Sequence, residues 1–368
     1  MVTMTADETA WLRLHLTPGL GRIGLIHLMK AYGCPRAALA AGPAGWSGLA
    51  GFRSGKVQTP PAENSPPVTQ ARESLSRTGA RIVSLLDREA YPPLLREIHD
   101  PPALLYVRGN LPCGEALAVV GARRASTAGR RLTAEISREL ASRDITIVSG
   151  LARGIDTAAH QGALDGEGTT VGVLGCGIDR IYPPENRRLF LEVLERGAIL
   201  SEFPPGTPPL ARHFPGRNRI ISGMCRGVLV VEAAEGSGSL ITADFALEQG
   251  RDVFAVPGPV YSPTGGGVNR LLKEGANLVT GAADILDALW PHLPSPALRQ
   301  RQDTFAAALA GDALTLYGLI GDTPLHPDEL ARKSALTPME VSSILLHLEL
   351  QGGIEQLPGM RFVRSRKP

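Results

Sequence analysis

Ala116-Leu-Ala-Val-Val120, followed at once by Gly121-Ala-Arg-Arg-Ala-Ser-Thr127, is the stretch on which the fold turns. An unbroken apolar run cannot alternate between core and solvent, so it describes a strand buried on both faces. Similar runs follow at Ile145–Val148, Thr170–Leu174, Ala198–Leu200, Val228–Val231, Asp252–Val256 and Asn277–Val279. Helical stretches such as Gly129–Ser142 and Glu185–Arg196 separate most of them. Strand and helix in alternation mean right-handed βαβ crossovers, which predict an α/β core with a doubly wound parallel sheet.

Outward from this core the rhythm changes on both sides. Residues 1–69 read as a small helical domain with its linker. Leu12, Leu16, Ile23, Ile26 and Leu28 fall into two short helices split by Pro18-Gly19-Leu20-Gly21, and Phe52–Thr69 is rich in Pro, with Ser and Gln among its polar residues. The Gly-rich turn is either a helix-hairpin-helix that holds a DNA phosphate on backbone N–H groups or the corner of a module packed on its neighbour. The core spans 70–290, and the prolines of Pro291–Pro296 open a second linker, 291–303. In 304–368 the helices Ala313–Ile320 and His326–Leu330 precede Thr337-Pro-Met-Glu340. There Thr337 is the N-cap, Pro338 opens the helix and Glu340 completes a capping box. This third helix runs to Leu350, and a hairpin, Ile354–Val363, follows Gly352-Gly353. Three helices and a hairpin predict a winged helix-turn-helix. Its recognition helix offers Glu340, Ser342, Ser343, His347 and Glu349 but no Lys or Arg, which disfavours sequence-specific reading of duplex DNA. Arg361, Arg364, Arg366 and Lys367 leave the wing and tail for weak backbone contact.

The chain has 368 residues, 20% of them charged, and a net charge of +2, so nucleic-acid binding would use a local patch. Aromatics make up 5%, too few for a broad base-stacking platform. Cys34, Cys113, Cys176 and Cys225 form no CxxC pair, which fits a reducing cytoplasm better than a zinc ribbon or redox motif. No apolar run reaches the ~18 residues of a membrane helix, and Met1–Ala10 lacks a signal-peptide pattern. A cytoplasmic protein without membrane insertion is expected.

An open parallel sheet binds ligands beyond the carboxyl ends of its strands, near the point where strand order reverses. The loops that follow the strands are therefore informative. They include Gly121–Thr127, Ser149-Gly-Leu-Ala-Arg-Gly-Ile-Asp156, Gly175-Cys-Gly177, Ser201-Glu-Phe203, Phe214-Pro-Gly-Arg-Asn-Arg219, Glu235-Gly-Ser-Gly-Ser239 and Pro257-Gly258. Gly121, Ser126, Ser149, Gly150, Ser237, Gly238 and Ser239 would let backbone N–H groups approach phosphate oxygens. Arg123, Arg124, Arg153, Arg212, Arg217 and Arg219 share that edge, with Asn218 among them, and guanidinium forks suit phosphate. This crest favours a nucleotide or an anionic polymer. Phe214 is either a core plug or a stacking partner for a base, and stacking is the preferred reading.

Several activities lack their residues. Gly51-Phe-Arg-Ser-Gly55-Lys56-Val57 is one residue short of a P-loop, and the first turn has no G-x-G-x-x-G. HExxH and clustered Cys/His are absent, so no metal or cofactor is expected. Asp156 and His160, four apart, could form a catalytic dyad, but a helix cap and an internal hydrogen bond are the preferred roles. Glu202 and Glu232 could act as acid and base, or anchor the neighbouring arginines, which is preferred.

Ordered motifs between Tyr91 and Gly281 carry a resemblance. They are Tyr91-Pro92 with Ile98-His-Asp-Pro-Pro-Ala-Leu-Leu-Tyr106, Val119-Val-Gly-Ala-Arg123 with Ser126, and Val148-Ser-Gly-Leu-Ala-Arg-Gly-Ile-Asp156 with Ala159-His160. Further matches are Tyr182-Pro183, Ser201-Glu202, Phe214-Pro-Gly-Arg-Asn-Arg-Ile220, Ser237-Gly-Ser-Leu-Ile-Thr-Ala243 and Ala255-Val-Pro-Gly258. They resemble the DNA-processing protein A (DprA/Smf) family. The resemblance implies a Rossmann-like core flanked by the two smaller modules, with single-stranded DNA in a basic crest pocket lined by Arg123, Ser126, Arg217, Asn218 and Arg219. It also implies no catalysis, a homodimer, and delivery of DNA to the RecA recombinase in natural transformation. Ala122 stands where the family often has a hydroxyl residue, which puts one phosphate contact in doubt. Val268, Leu271 and Leu272, within Gly267–Ala276 beside an edge strand, are the expected dimer surface. The competing reading is a nucleotide-binding Rossmann-like hydrolase that cleaves N-glycosidic bonds through Glu202 or Glu232. A transcription factor rests on the winged helix alone.

Overall fold

The computed structural model describes residues 4–49, 52, 57–293, 296–321 and 323–365. Contacts divide the chain into two compact units, Met1–Leu289 and Trp290–Pro368.

The first unit begins with α1 (Ala6–His15), α2 (Arg22–Tyr32), α3 (Pro35–Trp46, kinked at Gly42) and α4 (Pro66–Thr78). Helix α4 begins at Pro66, inside the stretch expected as linker, because Ser65 precedes a proline at the first helical position. There follow β1 (Arg81–Ser84), α5 (Pro93–Glu97), β2 (Leu104–Gly109), β3 (Ala116–Gly121), α6 (Thr127–Ala141), β4 (Thr146–Ser149), α7 (Ile155–Asp165) and β5 (Thr170–Leu174). The unit continues with α8 (Arg187–Arg196), β6 (Ala198–Ser201), α9 (His213–Gly223), β7 (Gly227–Val231), α10 (Gly238–Glu248), β8 (Asp252–Ala255), α11 (Gly266–Lys273), β9 (Asn277–Leu278) and α12 (Ala282–Leu289).

All nine strands form one sheet in the order β1-β2-β6-β5-β4-β3-β7-β8-β9. From β6 to β9 neighbours run parallel, as the continuous apolar runs predict. Two strands extend this parallel sheet at one side in the opposite sense: β2 pairs antiparallel with β6, and β1 antiparallel with β2. Strands β3 to β7 are almost wholly buried, and each enclosed Val or Leu contributes about 1.5–3 kcal/mol. One face carries Val120, Val173, Ile220, Val230 and Leu240. On the other, Tyr106, Leu174 and Ile199 share a core with Trp11, Leu12, Leu28 and Trp46, so the N-terminal helices are built onto the sheet. Chain order runs β3 to β6 in one direction and then returns to place β7 on the other side of β3. The crevice between β3 and β7 is the switch point.

The second unit holds α13 (Pro296–Ala307), α14 (Gly311–Leu319), α15 (Pro327–Ser334), α16 (Pro338–Leu350) and the hairpin β10 (Ile354–Leu357) and β11 (Arg361–Arg364). Leu316, Leu330, Val341, Leu345, Leu348 and Phe362 close its core, and the Thr337/Glu340 capping box forms as expected. Arg364 is not free for DNA. Its Nε donates to Ile320 O at 2.7 Å and its guanidinium lies 4.8 Å from the centre of the Tyr317 ring. Arg366 and Lys367 lie outside the described residues, as does most of the near-P-loop stretch.

Candidate functional site

At the switch point a cavity of about 510 Å³ opens between the end of β3 and the first turns of α7, α9 and α10. Gly121, Arg123, Phe214, Arg217, Asn218, Ser237, Gly238 and Ser239 line it, together with Asp156 and Tyr182. Phe214 is its aromatic centre. The guanidinium carbons of Arg123 and Arg217 each lie 5.7 Å from the centre of its ring, within cation–π range, and the Tyr182 ring is 5.7 Å away. The segment expected as a loop, Phe214–Arg219, is instead the start of α9, so the ring rides on a rigid element.

The two flanking arginines are held differently. Arg123 is exposed on the loop after β3. Arg217 is buried at 5% exposure and donates to the carbonyls of Gly150, at 3.0 Å, and Val173. Burial lowers its pKa to about 10, with Asp156 opposing the shift, so it stays charged at neutral pH. A Cβ at position 150 would lie 2.5 Å from Arg217 Nη2, and one at 175 would lie 2.8 Å from Phe214 Cδ1. A side chain at either position would displace Arg217 or Phe214, because both pass against the backbone there.

Ser237 caps α10 by accepting from Ser239 N–H, and Asn218 Nδ2 donates to Gly238 O at 3.0 Å, tying α9 to α10. The open first turn of α10 adds backbone donors and a favourable dipole for an anion. Asp156 accepts N–H bonds from Gly150, at 3.1 Å, and Ala152, at 3.3 Å. Burial raises its pKa, and Arg217 opposes that shift. Its carboxylate is thus committed to the backbone, and His160 bonds to Thr170 instead, so the two do not form a dyad.

Other expected site residues lie elsewhere. Arg219 is 3% exposed and held by Glu202 at 2.7 Å and Asp100 at 3.2 Å, and Asp100 also pairs with Arg22 at 2.8 Å. Arg219 is therefore a structural ion-network member and not a phosphate ligand. Ser149 is buried and donates to Val119 O at 2.6 Å, and Gly150 serves as backbone support. Arg153 is exposed and paired with Glu185. Arg124 and Arg212 are exposed outside the cavity. Ser126 caps α6 and binds Glu232, which corrects the expectation that Glu232 anchors an arginine. Glu202 does anchor one. Val268 and Leu271 are buried in the core and cannot form the expected dimer surface, whereas Leu272 is only partly buried against that core. Tyr182, Pro209 and Ala211 line the cavity without having been singled out for it, although Tyr182-Pro183 stood among the motifs. Among the described residues, no His/Cys/Asp/Glu group could hold a metal ion and no helix is long and apolar enough to cross a membrane.

Fold and site together define a doubly wound α/β protein with a cationic, aromatic-centred pocket at its switch point. Residues 82–290 match the family described as DNA recombination-mediator protein A, and residues 300–360 match the DprA winged helix domain. The chain belongs to this DprA/Smf family of DNA-processing proteins. It is 44% identical to protein Smf of Escherichia coli over 290 residues, 76% of each chain. The X-ray structure of DNA processing protein A from Streptococcus pneumoniae superposes with a TM-score of 0.61 at 36% identity, covering 78% of this chain and 98% of that one. DNA processing protein A from Helicobacter pylori, solved for its single-stranded DNA binding mode, gives 0.52 at 28% identity over 59% of this chain and 98% of that one.

Proposed function

We propose that the crest pocket binds single-stranded DNA and that the protein, without catalysing a reaction, hands the strand to the RecA recombinase in the cytoplasm during recombination or natural transformation. The observation that carries the reading is the Phe214 ring between Arg123 and Arg217. A ring offers every base a stacking face, and the two cations serve the adjoining phosphates. Duplex DNA keeps its bases stacked on one another, so the pocket discriminates for single strands. The family's description as a recombination mediator supports RecA as the recipient. The hydrolase reading needs a free carboxylate at the pocket, whereas Glu202 is paired with Arg219 and Glu232 accepts from Ser126. A gel-shift comparison of oligonucleotides of one sequence, single- and double-stranded, tests the proposal. Equal affinity for both forms, or DNA or nucleotide turnover abolished by Glu202→Gln, would overturn it.

Helix α16 presents Met339, Leu346 and Leu350 to solvent, and its residues include no Lys or Arg. Such a face lacks the cationic side chains that usually reach phosphates and guanine edges. A chain ending near Pro291 should therefore retain most single-strand affinity and lose no sequence preference. Abolished binding by a truncated chain that stays folded by circular dichroism would move the principal site to the winged helix.

A homodimer forms, in this reading, through the β8–β9 edge. Strand β9 ends the sheet, Leu278 on it is 55% exposed, and Leu247 on α10, which packs on β8, is 61% exposed. A free sheet edge with apolar side chains suits an isologous pairing. The double substitution Leu247→Asp, Leu278→Asp should convert a dimeric mass by light scattering to a monomeric one. An unchanged mass would refute this interface.

A further inference from the structure

The loop between β8 and α11 carries, among the described residues, the most exposed of the large apolar side chains, Tyr261, at 100%, and beside it Val260 is 81% exposed. Around them the backbone is fixed. Asn269 brackets Gly258, accepting from its N–H at 3.1 Å and donating to its carbonyl at 2.9 Å, and Ser262 accepts from Thr264 N–H. The frame is held while the ring stands free, an arrangement that presents an aromatic to a ligand.

The loop also stands on the crest. Strands β3, β7 and β8 are adjacent and parallel, so the segments after them emerge along one edge. Thr264 Oγ1 donates to Glu232 Oε2 at 3.5 Å, and the same carboxylate accepts from Ser126 N–H at 2.9 Å. Gly267 N–H donates to Ala233 O at 2.8 Å. The Tyr261 loop is thereby stitched to the loops after β3 and β7 that border the pocket.

A cavity of about 510 Å³ suits a drug-sized ligand, so most of a longer strand must run outside it. We propose that Tyr261 is a second stacking platform, taking a base of the same single strand where it leaves the pocket past the start of α10. The inference rests on the single-strand reading of the pocket and extends it to a track along the carboxyl edge of the sheet. One ring and one valine are far smaller than the ~800 Å² per partner of a stable protein interface, whereas a stacked base needs no more.

The experiment uses full-length protein and two oligothymidylates, of about 4 and about 16 nucleotides. Tyr261→Ala should weaken binding of the longer strand about 5- to 150-fold and leave the shorter unchanged. Native Trp11, Trp46 and Trp290 are buried, so Tyr261→Trp introduces the exposed indole. Its emission should be quenched by the longer strand and not by the shorter. Undiminished affinity of Tyr261→Ala for the longer strand, equal loss for both lengths, or an unresponsive indole overturns the proposal. Phe214→Ala separates the two readings, since it should weaken both lengths. If it weakens neither, the pocket reading falls and this inference falls with it; if it weakens both while Tyr261→Ala weakens neither, only this inference falls.

Discussion

Phe214→Ala should lower the affinity for single-stranded DNA by about 5- to 150-fold, the worth of one base stacked on an aromatic ring. The ring is half-buried on the first turn of α9, with the exposed Arg123 guanidinium 5.7 Å from its centre. Truncation removes the stacking face and the surface that orients Arg123. Arg123→Ala should act differently, weakening all sequences alike and flattening the log–log salt dependence by about 0.7 for one lost phosphate contact. Arg217→Ala is a poor test of binding. It leaves the Gly150 and Val173 carbonyls without their donor and Asp156 without its nearby cation. Removing one partner of a buried network costs stability, so that loss of binding could report unfolding. Wild-type affinity and salt slope in both Phe214→Ala and Arg123→Ala would remove the crest from the account of DNA binding.

The parallel half of the sheet was legible because both-face burial writes itself as continuous apolar runs with helices between them. Leu104-Leu-Tyr-Val107 is equally continuous. It joins the sheet antiparallel beside β6, a pairing across some ninety positions that no local pattern announces. β1 lies at the sheet edge with only Val83 buried, so it has little apolar signal to give. At the site, sequence placed the cationic loops and Phe214 on the correct edge. It could not separate an arginine that faces a ligand from one that neutralises a buried acid. Arg217 and Arg219 are two apart on α9, yet the second meets Asp100, 119 positions away. Similarly, Val268 and Leu271 read as apolar surface because the pattern marks an amphipathic face without saying what covers it. The fold turned that face inward and left Leu247 and Leu278 outside.

Acid should destabilise the first unit through His160, whose imidazole is fully buried. Thr170 Oγ1 donates to Ile147 O at 2.7 Å, so it accepts from His160 Nδ1–H, also at 2.7 Å, and Nε2 has no partner among the described residues. Protonation would add an N–H with no acceptor inside the core. Burial first, and then the nearby Arg217 charge, push the imidazole pKa down to about 3. In the unfolded chain the same group titrates near 6.5. Between those values the unfolded state binds more protons, so this contribution is fully present above about pH 6.5 and is lost as pH falls towards about 3. The expected loss is about 2 kcal/mol between pH 7 and pH 5, growing to about 5 kcal/mol below pH 3. That is a large share of the ~5–15 kcal/mol that holds a domain folded. His15, lowered by burial to about 4, acts with the same sign, so the comparison must be made against a variant and not against pH alone. Urea midpoints at pH 7 and pH 5 should fall more steeply for wild type than for His160→Gln, which cannot titrate. Parallel slopes in the two proteins would show that the buried imidazole is not what acid attacks.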